Sequence, residues 1–283
     1  MNQERPTIYF RRILVALDTS AHSRAALHAA AQLAKLAEAE LKGLYVSDAT
    51  WHRLGKLSLI KEISEITGES RSLGEEEMEK QSELIKKRIE DYLSKIARSS
   101  GISYSLNSVR GSIGEELLKA AEGVDLITIG RTGHSHKQED KLGKTARYII
   151  KHAQKPVLVL EQGLTIGNAP IICIYDGTEQ SQRGLKLALN LAKKQRNQLQ
   201  IIGLANQSES IQNRNKEIEE HVQNAKVQVR LNLLNQDNIW NLTRMLNKMQ
   251  GSLLIIPKNQ PLIKDEWAGK IFNMAKCPML LMN

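Results

Sequence analysis

The sequence predicts an α/β protein built from two similar domains, each a doubly wound parallel sheet. Short apolar runs rich in branched residues alternate with longer stretches of helical periodicity, which is typical of parallel strands joined by helices. The chain also repeats itself, because residues 13–23 align with residues 171–181 without a gap. A length of 283 residues is sufficient for two domains of ordinary size.

The repeat reaches both ends of each domain. Asp18 matches Asp176 at an offset of 158 residues, and the offset is constant along the first strand and helix. The closing segments 153–160 and 275–282 match at an offset of 122, so the second copy is shorter in its middle. Residues 162–169 contain two glycines and form the predicted linker. The predicted domains are residues 1–163 and 164–283.

The elements of the first domain follow one another as strands and helices. The first strand is Arg12–Leu17, an apolar run typical of a strand buried on both faces, and Thr19 or Ser20 can cap the helix after it. The later elements are a helix over 25–37, a strand over 41–46, a helix over 75–97, a strand over 102–109, a helix over Ile113–Ala121, a strand over 124–129, a helix over 145–152 and a strand over Val157–Leu160.

The second domain repeats this order more weakly. Its predicted strands lie near Ile171, Leu199, Val227, Leu253 and Met279. The first domain carries in addition the apolar-containing segment 49–74, which could form an amphipathic helix over the edge of the sheet or a mobile lid.

The composition is that of a soluble globular protein, with 41% apolar and 25% charged residues. No apolar run approaches the roughly 18 residues of a membrane helix, and no signal-peptide core follows the N-terminus. We therefore expect a cytoplasmic protein that does not bind membranes. Cys173 and Cys277 lie in apolar segments and are expected to be small buried hydrophobes rather than a disulfide or metal ligands.

The net charge of +9 raises the possibility of nucleic-acid binding, but the basic residues are dispersed. Residues 1–163 carry a net charge of +3 and residues 164–283 a net charge of +6, with no dense basic arm in either. Aromatic residues make up only 4% of the chain, which is few for bases to stack on. Nucleic acid is therefore an unlikely partner.

The segment that indicates a ligand site is the glycine-containing loop over residues 130–145. It leaves the carboxyl end of the fourth strand, where open α/β sheets bind their ligands. Gly130 and Gly133 would let the backbone approach a phosphate and adopt positive φ. Gly143 would place the N–H groups of the next helix against the same anion.

Other interpretations of this region were weighed. The triplet beginning at Gly143 is not a Walker A loop, because Gln138 stands where that motif needs a glycine. His134 and His136 have no Cys or acidic partner at a metal-site spacing and are expected to be loop residues. Asp18 could contact a ligand or cap the first helix, and both roles remain open.

These residues resemble the universal stress protein family. The resemblance rests on Gly-x2-Gly-x9-Gly at Gly130, Gly133 and Gly143, on Asp18 after the first strand, and on the closing Lys-Pro-Val-Leu-Val-Leu strand. Counting both repeats, it covers nearly the whole chain and implies an adenine nucleotide α-hydrolase-like fold that binds ATP, ADP or AMP, with magnesium able to accompany the nucleotide. Lys144 departs from the family, which has Ser or Thr there, although Thr145 follows.

The resemblance also implies which residues bind the nucleotide. For the adenine and ribose they are Ala16, Leu17, Asp18 and Val46. For the ribose and phosphates they are Ile129, Gly130, Arg131, Gly133, Gly143, Lys144 and Thr145.

The second domain lacks the same loop. Residues 256–260 read Ile-Pro-Lys-Asn-Gln, so both loop glycines are missing and Pro257 has no N–H to donate. We expect this domain to be structural. In the family the closing strands pair across a dimer, and here Val157–Leu160 and Met279–Met282 could pair within one chain, with a homodimer also possible.

The leading functional hypothesis is a stress or signalling regulator that changes shape or partner when a nucleotide binds. One alternative is an enzyme that slowly hydrolyses ATP or transfers a nucleotidyl group, although its usual signatures, Ser-Gly-Gly-x-Asp-Ser or His-x-Gly-His, are absent from the sequence. Another is a nucleotide-free scaffold. Gly130→Val or Gly143→Val is expected to abolish ATP binding without unfolding the protein.

Overall fold

A computed structural model describes residues 10–49, 61–63, 70–72, 75–133, 142–205, 210–235, 239–258, 271–272 and 274–283. The predicted α/β class is confirmed, with strands and helices alternating along the chain. The elements up to residue 160 are β1 (Arg12–Leu17), α1 (Ala21–Ala37), β2 (Glu40–Asp48), β3 (Lys61–Ile63), β4 (Ser70–Ser72), α2 (Glu75–Ser100), β5 (Tyr104–Gly111), α3 (Ile113–Ala121), β6 (Leu126–Gly130), α4 (Lys144–His152) and β7 (Val157–Leu160). Those after it are β8 (Ile171–Tyr175), α5 (Glu179–Gln195), β9 (Leu199–Ala205), α6 (Ile211–Val222), β10 (Val229–Asn235), α7 (Ile239–Lys248), β11 (Leu253–Pro257) and β12 (Met279–Met282).

Ten of the strands form one sheet in the order β10-β9-β8-β11-β12-β7-β6-β1-β2-β5. Counted outwards from the middle of the sheet, the first half has the order β7-β6-β1-β2-β5 and the second half has the order β12-β11-β8-β9-β10. Equivalent strands therefore take equivalent positions. Within each half all neighbours are parallel, as right-handed strand–helix–strand crossovers require. The internal repeat of the sequence therefore corresponds to a repeat of topology.

The two halves meet at the one antiparallel pair of this sheet, β7 with β12. Leu158 lies opposite Leu280 in the register, and both strands are buried along their whole length. Side chains also cross the junction. The ammonium of Lys258 donates to the carbonyl of Ala153 at 2.6 Å, and the amide of Asn283 donates to the same oxygen at 3.0 Å.

Helices cover both faces of the sheet. Helices α1, α2, α5 and α6 contribute to the core on one face, and α3, α4 and α7 to the core on the other. Helices α1 and α5 begin and end at residues that the repeat relates. The side chains of Ser20 and Thr178 each accept an N–H of the first turn. Glu38 and Arg196 end the helices with φ of 56° and 53°. The same local signals thus position the same helix twice.

The segment 49–74 contains a short strand pair that the sequence did not predict. Ala49 is helical, and Lys61–Ile63 and Ser70–Ser72 form an antiparallel pair. Residues 64–72 are rich in Ser, Thr and Gly, which favour turns and extended backbone over helix. The rest of the segment lies outside the described residues.

Both cysteines are buried, as expected from their apolar surroundings. Burial raises the pKa of the Cys277 thiol to about 12 and that of Cys173 further, so neither thiol is a nucleophile at neutral pH.

Candidate functional site

A cleft of about 890 Å³ opens at the carboxyl ends of β1, β2 and β6. Its walls come from these strand ends and from the first turns of α1, α3 and α4, which is where a doubly wound sheet places its ligands. The cleft brings together all of the residues that sequence reasoning selected, namely Ala16, Leu17, Asp18, Val46, Ile129, Gly130, Arg131, Gly133, Gly143, Lys144 and Thr145.

Asp18 lies half-buried at the end of β1. Its Oδ1 accepts the N–H of Ser20 at 2.8 Å, and its own N–H donates to the hydroxyl of Ser23 at 3.0 Å. The hydroxyl of Ser20, rather than Asp18, accepts the N–H of Ser23 and caps α1. The capping role that was open for Asp18 therefore belongs to Ser20, and Asp18 shapes the turn that leads into the cleft.

Gly130 ends β6 directly beneath the first turn of α1. A Cβ at this position would lie 2.9 Å from the carbonyl carbon of His22 and 3.0 Å from the nitrogen of Ser23. Neither Gly130 nor Gly133 has a positive φ, so that part of the prediction was wrong. The glycine at residue 130 is required by the close approach of a helix backbone rather than by an unusual turn.

The N-terminus of α4 provides the anion-binding geometry. Gly143 is its N-cap residue and donates its own N–H to the carbonyl of Arg131 at 2.9 Å. Among the described residues no side chain caps this end and no acidic residue lies in its first turn. The N–H groups of the first turn, at Lys144 and Thr145, are therefore directed to the cleft wall, where the helix dipole favours an anion.

The groups of Arg131 are bonded within the protein. Its guanidinium is buried and lies 2.7 Å from a carboxylate oxygen of Glu161. Its backbone N–H donates to the carbonyl of Leu160 at 2.6 Å, and its own carbonyl accepts the N–H of Gly143 at 2.9 Å. Arg131 therefore lines the cleft with its charge in an ion pair, and a role for its guanidinium on the phosphates is not supported.

His22 lies beside this ion pair. Its Nδ1 accepts the N–H of Gln162 at 3.0 Å, which requires that nitrogen to be unprotonated. Burial lowers the pKa of His22, opposed by Glu161 and assisted by Arg131. His22 therefore joins α1 to the end of β7 as a neutral side chain.

The cleft also contains residues that sequence reasoning missed. Asp48 could have been found, because it lies two residues beyond Val46 and so faces the same side of β2. Ser112 and Glu115 come from the start of α3, and Tyr148 from one turn into α4. These three join the wall through packing between helices, for which a single sequence has no signal.

Residues 134–141 of the loop lie outside the described residues. The expectations for His134, His136 and Gln138 therefore stay predictions.

Comparison with known proteins decides the family. A model described as "Universal stress protein family" matches residues 9–161, more than half of the chain. The chain belongs to the universal stress protein family.

Two curated relatives come from Methanocaldococcus jannaschii. Universal stress protein MJ0577 is 34% identical over 111 residues, which is 38% of this chain and 64% of that protein. Universal stress protein MJ0531 is 28% identical over 159 residues, 54% of this chain and 83% of that protein. The matched part of the chain thus spans somewhat less than two thirds of MJ0577.

A solved structure resembles the whole chain. The universal stress protein from Archaeoglobus fulgidus DSM 4304 aligns with a TM-score of 0.68 at 16% identity and covers 95% of this chain and 97% of its own. At 16% identity, this similarity shows that the two proteins share a fold. In the part of this stress protein that the structure describes, no helix is both long and apolar enough to cross a bilayer.

In the second half of this universal stress protein, Lys258 occupies the position that corresponds to Arg131. Lys258 follows β11 as Arg131 follows β6, and the two N–H groups make equivalent bonds, to Met282 at 2.8 Å and to Leu160 at 2.6 Å. The Lys258 side chain then crosses to Ala153 in the first half. Burial lowers the pKa of this ammonium. The residue equivalent to Arg131 therefore joins the two halves.

Proposed function

We propose that the first half of this universal stress protein binds ATP or a related adenine nucleotide and that the chain acts as a stress-response or signalling regulator. The observation that supports this most directly is that all eleven selected residues lie around one cleft. The proposed phosphate end of this cleft is the N-terminus of α4, which no side chain of the described residues caps. Its volume of about 890 Å³ suits a small-molecule ligand.

The ligand would lie with its base toward the sheet and its phosphates toward α4. Ala16, Leu17, Asp18 and Val46 would hold the adenine and ribose at the ends of β1 and β2. The backbone N–H groups of Lys144 and Thr145 and the exposed ammonium of Lys144 would hold the phosphates. Magnesium would be bound through phosphate oxygens.

The proposal gives the second half a structural role. Residues 164–283 would form a nucleotide-free domain that pairs with residues 1–163 through β7 and β12, as an internal counterpart of a dimer. The regulatory output would then be a change of shape or partner at the nucleotide-binding half. The proposed compartment is the cytoplasm.

The test is isothermal titration with ATP, ADP and AMP, together with mass spectrometry of any nucleotide that co-purifies. We expect one nucleotide per chain. Lys144→Glu should weaken ATP binding at least tenfold, because it replaces a cation at the phosphate end with an anion. Since an acidic residue in the first turn favours the helix, this loss could not come from unfolding of α4.

The matched control is Lys151→Glu, a reversal of the same charge in the last turn of the same helix, away from the cleft. It should leave ATP affinity unchanged. If the wild-type chain binds no nucleotide, the scaffold alternative replaces this proposal. If it shows sustained multiple-turnover release of phosphate, the enzyme alternative does.

A further inference from the structure

A buried arginine lies at the end of the second half that is equivalent to the nucleotide-binding end of the first. Arg214 belongs to the first turn of α6, and only 3% of its surface is exposed. An arginine is rarely buried to this degree unless its donors are matched.

Three groups contact the guanidinium from three elements. Nε donates to the carbonyl oxygen of Leu204, at the end of β9, at 3.0 Å. Nη1 makes an ion pair with Glu217 one turn along α6. The ring of Tyr175, at the end of β8, lies with its centroid 5.5 Å from the guanidinium carbon.

The surroundings are themselves held in place. The phenol of Tyr175 donates to Oε1 of Glu217 at 2.6 Å, while Arg214 contacts Oε2. The carboxylate is therefore held by both of its oxygens. Gly177 follows β8 with φ of +82°, and a Cβ there would overlap the guanidinium. The carbonyl, the carboxylate, the aromatic face and the glycine turn together form a receptor fitted to a planar cation.

The repeat shows where this receptor lies. Leu199 pairs with Ile171 in the second half as Leu41 pairs with Ile13 in the first, so the two halves share one register at an offset of 158 residues. By that register Leu204 is the counterpart of Val46. The carbonyl that Arg214 occupies is therefore the counterpart of the backbone that the family resemblance assigns to adenine.

We propose that the second half contains a guanidinium-binding site, formed by the Leu204 carbonyl, Glu217 and the Tyr175 ring, and that Arg214 fills it from within the chain. The side chain takes the backbone acceptor that an adenine amino group would need. The second half thus keeps the strand-end position that corresponds to the proposed base site of the first half, but the side chain of Arg214 occupies it. This inference follows from the repeat and from the contacts of Arg214, and it does not depend on nucleotide binding by the first half.

The experiment is rescue of Arg214→Ala by methylguanidine. The variant leaves a cavity and removes the cation that faces the Leu204 carbonyl and the partly exposed Glu217 carboxylate, so we expect its Tm to fall by roughly 3–8 °C. Millimolar methylguanidine should restore part of this loss with a saturable dose dependence. It should not raise the Tm of the wild-type chain, or of the control Arg183→Ala, which removes an exposed helical arginine 3.8 Å from Glu179.

An unchanged Tm in Arg214→Ala, or a loss that methylguanidine does not restore saturably, would overturn the proposal. If Arg214→Ala does not fold, the comparison moves to Arg214→Met and the double variant Arg214→Met with Glu217→Gln. The double variant should then have the higher Tm, because a neutral amide no longer requires a cation. Equal or lower stability of the double variant would count against a receptor for guanidinium.

Discussion

Gly130 and His22 are in backbone contact across the mouth of the cleft, so that even a single methyl group on Gly130 would lie 2.9 Å from the carbonyl carbon of His22. Because that neighbour is helix backbone, it cannot rotate away as a flexible side chain would. Gly130→Val was expected to affect binding alone, but this contact makes residue 130 part of the packing between β6 and α1.

We therefore predict that Gly130→Ala lowers the free energy of unfolding by about 1–3 kcal/mol, the usual cost of overpacking. Gly133→Ala in the same loop is the matched control, because among the described residues its Cβ would meet only the Asp18 carboxylate, at 3.4 Å. Urea denaturation of both variants measures the difference. Equal stability of the two would show that α1 can move aside.

Gly143 allows binding to be separated from stability. Gly143→Asp places a carboxylate at the N-cap of α4, where it can accept first-turn N–H groups that are proposed to hold phosphate. A Cβ at residue 143 would lie 3.3 Å from the carbonyl oxygen of Arg131, and the new cap offsets this close contact. We expect ATP affinity to fall at least tenfold while the free energy of unfolding changes by less than about 1 kcal/mol. Calorimetry and urea denaturation give the two quantities.

The control for Gly143→Asp is Gly167→Asp, which adds the same charge where a Cβ would have no described residue within 4 Å. It should leave the ATP affinity as in the wild type. Undiminished binding in Gly143→Asp would remove the N-terminus of α4 from the site.

Lys258 and Asn283 share one acceptor, the carbonyl of Ala153 at the end of α4. Lys258→Met leaves this oxygen one donor and should cost about 1 kcal/mol. Asn283→Ala also leaves it one donor but removes a bond to the carbonyl of Lys155 as well, so it should cost somewhat more. The double variant removes both donors and should cost more than the sum of the single variants. A double-mutant cycle by urea denaturation tests this, and strict additivity would contradict it.

His22 should make stability depend on pH. Its pKa is lowered by burial in the folded chain and lies near 6.5 in the unfolded chain, so the unfolded state binds a proton first as the pH falls. The stability that His22 contributes is present above pH 6.5 and is lost as the pH falls below it toward the folded pKa. His22→Asn keeps an acceptor for Gln162 but does not titrate.

The measurement is the urea midpoint at pH 7.5 and pH 5.5 in both proteins. The wild-type midpoint should fall more than that of His22→Asn, and the difference belongs to His22. An equal fall in the two proteins would place the pH dependence on other groups.

The sequence predicts the fold wherever local signals are strong. The strands Arg12–Leu17 and Val157–Leu160 and the helix Ile113–Ala121 have the predicted bounds, because apolar runs and helical periodicity end sharply there. The first helix begins at Ala21 rather than at residue 25, since its first turn carries polar residues and follows directly from the Ser20 cap.

The site was predictable where one loop carries it and not where distant elements meet. The glycine spacing predicts that Gly130, Gly133 and Gly143 line one cleft, but the ion pair of Arg131 with Glu161 depends on β7 lying beside β6. Arg214 gives no signal in the sequence, because its partners Leu204 and Tyr175 are placed by sheet topology. Charge in a sequence is therefore weak evidence for a ligand until the partners of each charged group are known.

The antiparallel pairing of β7 with β12 also sets an order of events during synthesis. Strand β7 is complete at Leu160, but the strand that covers its outer edge ends at Met282. At translation rates of roughly 5–20 residues per second, the apolar edge of β7 (Val-Leu-Val-Leu) stays unpaired for on the order of ten seconds until β12 is synthesised. During that interval a nascent first half presents an open strand to other chains, and this is the stage at which assembly of the protein is most exposed to mispairing.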